Sequence, residues 1–170
     1  MITDLLIVDD FFPSPDNERV WARSLEYINS NFPGKTLNNR SSAIHEINTE
    51  KFNFYKNLLY EKFQISNLNF FKILGFSFQF NCENDYTEIH SDIGWDIAGV
   101  VYLNPDAPKN SGTAFYSQIN DKFNKVYEVE NMYNRCILYP ANLYHEGLNF
   151  FGNTLDNARL NLVFFAKVNC

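Results

Sequence analysis

No apolar run in this chain approaches the roughly 20 residues that a membrane-crossing helix needs. The longest, such as Leu162-Val163-Phe164-Phe165-Ala166, are strand-length, so no membrane partner is expected. Cysteine is scarce: Cys82, Cys136 and Cys170 are far apart, odd in number and without a C-x-x-C pair. That argues against a disulfide framework or thiolate zinc site, and for reduced thiols in an intracellular, cytoplasmic protein. Basic residues are outnumbered 14 to 20 and the formal net charge is −6, which counts against a nucleic-acid partner. The opening Met1-Ile2-Thr3-Asp4 has no basic patch before an apolar stretch, so no secretory signal is expected. Repeats, low-complexity tracts and linkers are missing too.

What remains is an ordinary globular composition, 45% hydrophobic and 20% charged over 170 residues. It is long enough for one domain with a sizeable core. Aromatics reach 17%, which suits layered β-sheet packing better than a helical bundle. The first third, about residues 1–66, reads as helical. Ser14-Pro15 opens a helix whose stripe carries Val20, Trp21, Leu25 and Ile28, with Asn31 to Gly34 as its end. A second helix is expected from about Thr49 to Phe63, with Phe52, Tyr55, Leu59 and Phe63 on one face and a polar loop, Lys35 to Glu46, before it.

From about residue 67 the period changes to two. Phe76, Phe78 and Phe80 alternate with Ser77, Gln79 and Asn81, a half-buried strand. Short strands follow at Ile97–Leu103, Thr113–Ser117, Lys125–Glu130, Arg135–Tyr139 and Ala158–Val168, separated by turn signals such as Asn104-Pro105-Asp106 and Asn120-Asp121. The pattern predicts a mostly β jelly roll over about 67–170 with the N-terminal helices packed on it as one domain.

Of three histidines, His90 stands in Glu88-Ile89-His90-Ser91-Asp92. On a strand, residues i and i+2 share a face, so His90 and Asp92 can converge on one point. With His145 they would form a two-histidine, one-carboxylate facial triad, the donor set of non-haem Fe(II) oxygenases. Arg159 opens the last strand, where a guanidinium can pair bidentately with a carboxylate. His45, between Ile44 and Glu46, reads as a solvated loop residue, and Glu88 is a lesser rival to Asp92. Tyr86 and Trp95 flank the motif, either lining a substrate mouth or simply packing.

From about Phe76 to Ala166 the chain resembles the Fe(II)/2-oxoglutarate-dependent dioxygenases, nearest the prolyl-4-hydroxylase-like branch and its small microbial and phage members. The resemblance rests on His90-Ser91-Asp92, Ala98-Gly99-Val100-Val101-Tyr102-Leu103-Asn104, Ser111-Gly112-Thr113-Ala114-Phe115, His145 and Arg159 in that order. It implies a double-stranded β-helix, Fe(II) on His90, Asp92 and His145, and the distal carboxylate of 2-oxoglutarate on Arg159. O2 would be the co-reactant and succinate and CO2 the products. The carboxylate of Asp92 favours hydroxylation over halogenation.

Two departures stand out. Arg159 follows His145 by fourteen positions where the family has about ten, which places the extra residues at Gly152–Asn157. Where relatives carry a cosubstrate tyrosine this chain has Phe80, and it has Val101 before the Tyr-Leu-Asn run. Tyr102, Thr113 and Asn161 are the remaining candidates for the cosubstrate's hydrogen bonds. The substrate implied is a protein side chain or a small molecule. The competing readings are a jelly-roll binding or structural protein without catalysis and a cupin-like metalloenzyme that does not use 2-oxoglutarate. Arg159 separates the cupin-like reading from the 2-oxoglutarate oxygenase, because such a metalloenzyme has no need of a cation beside the metal.

Overall fold

The computed structural model describes residues 3–32 and 35–169. Seven antiparallel strands form the larger sheet, in the spatial order β1 (Leu6–Val8), β8 (Cys136–Pro140), β5 (Ile97–Tyr102), β10 (Arg159–Val168), β4 (Phe71–Asn81), β3 (Lys35–Ser41) and β2 (Tyr27–Phe32). A smaller sheet runs β7 (Lys122–Val129), β6 (Thr113–Ile119), β9 (Tyr144–Gly147). Strands distant in sequence interleave, β8 between β1 and β5 and β10 between β5 and β4, as in a double-stranded β-helix. Three helices, α1 (Pro15–Arg23), α2 (Ile44–Ile47) and α3 (Thr49–Lys62), belong to the N-terminal part.

The central strands are apolar on both faces because both are covered. Along β10, Leu160, Leu162, Phe164 and Ala166 join the core shared with the helices, while Asn161, Val163 and Phe165 face the interior between the sheets. Strand β8 divides likewise, with Cys136 and Leu138 on the helical side and Ile137 and Tyr139 inside. Phe76 and Phe78 are buried on the helical side, where Phe76 meets Tyr55 edge-on at 5.6 Å and Phe78 meets Trp21 at 5.6 Å. Each such side chain contributes about 1.5–3 kcal/mol of transfer free energy. At Gly99 the backbone passes so near Phe164 that a Cβ would lie 2.1 Å from its ring, which leaves room for nothing larger.

The N-terminal third departs from its expected form. Helix α1 stops at Arg23, closed by Ser24, whose Oγ donates to the Trp21 carbonyl at 2.7 Å. Leu25 packs on the core from beyond the helix, and Ile28 stands on β2, 66% exposed, because pairing with β3 outweighs continuation of the helical stripe. Val20 is 66% exposed as well; α1 buries Ala22 and Glu18, the latter held by Lys51 Nζ at 2.7 Å and by the Tyr55 hydroxyl. Of the expected end signal, Pro33 and Gly34 lie outside the described residues.

The stretch expected as a polar loop, Lys35 to Glu46, is instead β3 followed by α2. Its backbone finds partners on β4, which a polar sequence does not advertise. The helix expected from Thr49 ends at Lys62, capped by Asn48, whose side chain accepts from the Lys51 amide at 2.9 Å. Asn120 and Asp121 take left-handed φ values of 50° and 60° and turn β6 into β7. Cys82 and Cys136 are free thiols. No helix is long and apolar enough to cross a membrane.

Candidate metal centre

His90 and Asp92 do not lie on a regular strand, as expected from their spacing. They sit on an irregular segment that touches β9 at a His90–His145 bridge, made by reciprocal amide-to-carbonyl bonds of 3.0 and 2.8 Å, and at Thr87, whose Oγ1 accepts from the Gly147 amide at 3.1 Å. The Asp92 amide donates to the Ala141 carbonyl at 2.8 Å, which anchors the far end of the motif. Nitrogen and oxygen donors of His90, Asp92 and His145 all lie within 4.8 Å of one another. Asp92 Oδ1 is 3.7 Å from His90 Nε2, and Oδ2 is 3.4 Å from His145 Nε2.

The tautomers follow from the partners. His90 Nδ1 lies 2.8 Å from the Glu88 carbonyl and His145 Nδ1 2.9 Å from the Leu143 carbonyl. A carbonyl only accepts, so both Nδ1 atoms carry a proton and Nε2 is the atom that each ring turns toward Asp92 and offers to a metal ion. Such an outer hydrogen bond is how metal-ligating imidazoles are oriented. The His145 ring is further held by Tyr139 at 4.9 Å and Phe115 at 6.1 Å. Burial pushes the Tyr139 hydroxyl well above its ordinary value, and the nearby Asp92 charge adds to the rise, so Tyr139 stays neutral.

The triad opens on a cavity between the sheets that Thr113, Asn161 and Arg159 also line. Arg159 is 4% exposed. Its Nε donates to the Ser111 carbonyl at 3.0 Å and its Nη2 to the Gly112 carbonyl at 3.2 Å. With its carboxamide oxygen turned toward the guanidinium, Asn161 accepts from Nη1 at 2.8 Å. The guanidinium lies 5.6 Å from the Tyr102 ring and 5.2 Å from the Phe150 ring. Burial lowers its pKa, against which the neighbouring Tyr102 and Tyr139 act, yet a guanidinium remains charged. Tyr102 is not on the cavity wall: it stands behind Arg159, its hydroxyl 2.7 Å from Thr113 Oγ1. The extra residues before Arg159 form a turn at 152–157, in which Asn157 Oδ1 accepts from the amides of Asn153 and Thr154 at 2.9 Å.

Phe80 and Val101 both point to the helical side, Phe80 against Tyr27 at 5.0 Å. The wall next to Phe80 is polar instead: Gln79 is 8% exposed and lines the cavity. The alternation that singled out the phenylalanines therefore marked a cavity-facing polar side, not a solvent-facing one. Arg40, on the unanticipated β3, also lines the cavity and donates from Nη2 to Gln79 Oε1 at 2.7 Å. His45 is exposed on α2, its ring 5.9 Å from Phe52, and Glu88 contributes its carbonyl while its side chain is exposed. Trp95 lies 5.9 Å from Phe165 and lines an adjoining groove; Tyr86 is 51% exposed.

Solved structures with this architecture share it over nearly the whole chain. A prolyl-4-hydroxylase from Pseudomonas putida aligns over 98% of this chain and 93% of its own, with 13% identity and a TM-score of 0.63. HygX from Streptomyces hygroscopicus, with nickel and 2-oxoglutarate bound, aligns over 97% and 83%, with 13% identity and a TM-score of 0.71. A Trichoplax adhaerens prolyl hydroxylase in complex with a hypoxia-inducible-factor peptide aligns over 95% and 82%, with 12% identity and a TM-score of 0.68. The fold is that of the 2-oxoglutarate–Fe(II) oxygenases. No protein-family model and no curated protein sequence matches the chain, so this likeness is carried by structure.

Proposed function

We propose that the protein is an Fe(II)- and 2-oxoglutarate-dependent oxygenase that hydroxylates a small molecule or a protein side chain, releasing succinate and CO2. One observation carries this reading. Two imidazoles fixed by carbonyls as Nε2 donors meet a carboxylate within 4.8 Å, on a cavity that also holds a buried guanidinium. Two neutral nitrogens and one anionic oxygen suit a borderline divalent ion better than a soft thiophilic one. Bound there, Fe(II) supplies the redox chemistry that couples oxidative decarboxylation of 2-oxoglutarate to oxidation of a C–H bond.

The residues supply binding, orientation and dryness. His90, Asp92 and His145 hold the ion, and the Glu88 and Leu143 carbonyls keep each Nε2 aimed inward. Arg159 takes the distal carboxylate of 2-oxoglutarate. The Ser111 and Gly112 carbonyls and the Asn161 carboxamide fix its plane, so little ordering is left for the moment of binding. Thr113 and Asn161 offer polar groups to the cosubstrate, and Tyr102 acts through Thr113 as a positioning residue. The buried Phe115 and Tyr139 keep water from the inner side of the site. We read residues 1–170 as one folding unit, supported by a core in which Phe11, Phe12, Tyr55 and Leu59 meet Phe76, Leu160 and Phe164. The acidic net charge favours a substrate other than nucleic acid.

The test is anaerobic addition of Fe(II) and 2-oxoglutarate, which should produce a weak visible metal-to-ligand charge-transfer band, followed by air, which should produce succinate slowly without substrate. Bound iron with no band at millimolar 2-oxoglutarate would shift the reading to a metalloprotein that does not use this cosubstrate. No iron binding would shift it to a catalytically silent jelly roll.

A further inference from the structure

Along the inner side of β9, the metal ligand His145 is followed two residues later by Gly147, and both line the cavity. Gly147 pairs with Thr113 on β6, as His145 pairs with Phe115. A Cβ built on Gly147 would lie 2.6 and 2.9 Å from two ring carbons of Phe150 and 3.5 Å from Arg159 Nη1. The bare glycine backbone is therefore the floor on which the Phe150 ring rests, beside the guanidinium. Phe150 lines the cavity as well, its ring centre 5.2 Å from the guanidinium carbon, while Tyr102 packs on the same group at 5.6 Å from behind the wall.

Phe150 is carried by a loop that is tied down on both sides of it. The Leu148 amide donates to the Gly112 carbonyl at 3.0 Å and Asn149 Nδ2 to the Asn110 carbonyl at 2.7 Å. Beyond the ring, the Gly152 carbonyl accepts from the Glu83 amide at 2.8 Å. Arg159 Nη2 also donates to Gly112, so loop and guanidinium are held in register by one acceptor. Asn149 takes a left-handed φ of 39°, which asparagine tolerates better than most residues, and it is exposed where the next residue, Phe150, is half-buried.

We propose that Phe150 is a specificity-determining residue of the cosubstrate end: its ring closes the pocket around the distal carboxylate and sets the length of 2-oxo diacid that fits between the metal and Arg159. This rests on the oxygenase reading above and deepens it. A ring seated on Gly147 shields the guanidinium from water, where a cation gains most from an aromatic face. It also occupies the volume that a longer acid would need, and a packed apolar surface discriminates a single methylene by about 10- to 200-fold.

The experiment is anaerobic calorimetry on the full Mn(II)-loaded chain, comparing 2-oxoglutarate with 2-oxoadipate, which has one more methylene between the same end groups. The wild type should bind 2-oxoglutarate about tenfold or more tightly than 2-oxoadipate. Phe150→Ala should weaken 2-oxoglutarate by about three- to thirtyfold, the range of a cation–π contact in a partly dry site, and reduce the length preference below about threefold. Phe150→Leu, which keeps an apolar group on Gly147 should the alanine variant fold poorly, should fall between. Gly147→Ala drives a methyl into the ring and should also weaken 2-oxoglutarate. Combining it with Phe150→Ala removes the clash, so the double variant should bind more tightly than Gly147→Ala alone. No length preference in the wild type, equal losses for both acids in Phe150→Ala, or additive losses in the double variant would each overturn the assignment and leave Phe150 a packing residue. A wild type that holds Mn(II) but binds neither acid strikes the oxygenase reading itself, and this proposal with it.

Discussion

Replacing Arg159 by glutamine removes the one charge at the inner end of the cavity while keeping a polar side chain of intermediate length. Arg159 is 4% exposed and its carboxylate partner would be desolvated, so the pair belongs with buried charge-assisted contacts, not surface ion pairs. Truncating such a contact costs on the order of 2–5 kcal/mol, or roughly 30- to several-thousand-fold in affinity. Anaerobic calorimetric titration of 2-oxoglutarate into the Mn(II)-loaded protein should show that loss while Mn(II) affinity stays near wild type. Stability falls as well, because the Ser111 and Gly112 carbonyls each lose one donor; Asn131 Nδ2 at 3.4 Å and the Leu148 amide at 3.0 Å still donate to them, so the cost is about 1 kcal/mol or less apiece. The titration is therefore run on protein shown to be folded by circular dichroism. Arg159→Lys restores the charge without the fork and should fall between the two. A change in 2-oxoglutarate affinity below about threefold in folded Arg159→Gln would refute the reasoning, and the distal carboxylate would have to be held elsewhere.

Other expectations follow from the same structure. His90→Ala or His145→Ala should each abolish stoichiometric Fe(II) binding with the fold intact, read as iron content after desalting, since each removes one of three donors. Asp92→Ala leaves both imidazoles but removes the anion, so it should bind iron more weakly and lose most succinate formation. Gly99→Ala drives a Cβ to 2.1 Å from the Phe164 ring and 2.6 Å from the Ile137 carbonyl, so it should destabilise by about 1–3 kcal/mol in urea unfolding. Asp9 accepts from Arg135 Nε at 2.6 Å and Nη2 at 3.0 Å, and that hydrogen-bonded pairing lowers its pKa. A lowered folded pKa means its contribution is present above the unfolded value of about 3.9 and is lost as pH falls through the folded one. Because the Asp9 side chain is half-exposed, Asp9→Asn should cost less than about 1 kcal/mol at pH 7, with the difference from wild type vanishing in strongly acidic unfolding titrations.

What the sequence by itself determined is whatever short-range pattern carries. The alternation of Phe76, Phe78 and Phe80 against Ser77, Gln79 and Asn81 marked a strand with two unlike faces, because side chains alternate whatever the strand pairs with. The spacing of Phe52, Tyr55 and Leu59 marked α3, and the His90-x-Asp92 spacing with His145 downstream named three residues that the fold brings within 4.8 Å. Only the tertiary structure decided that the polar run Asn39-Arg40-Ser41 is strand. Its extended form is stabilised by β4 across a gap of about forty residues, and strand propensity is mostly a statement about such neighbours. The same holds for Ile28, drawn out of a helical stripe by pairing with β3. The polar side of β4 could not be assigned to solvent or cavity from one strand, since what covers a face is supplied by other parts of the chain. That is why Arg40 and Gln79 emerged as neighbours of the metal triad only when β3, β4 and β10 lay side by side.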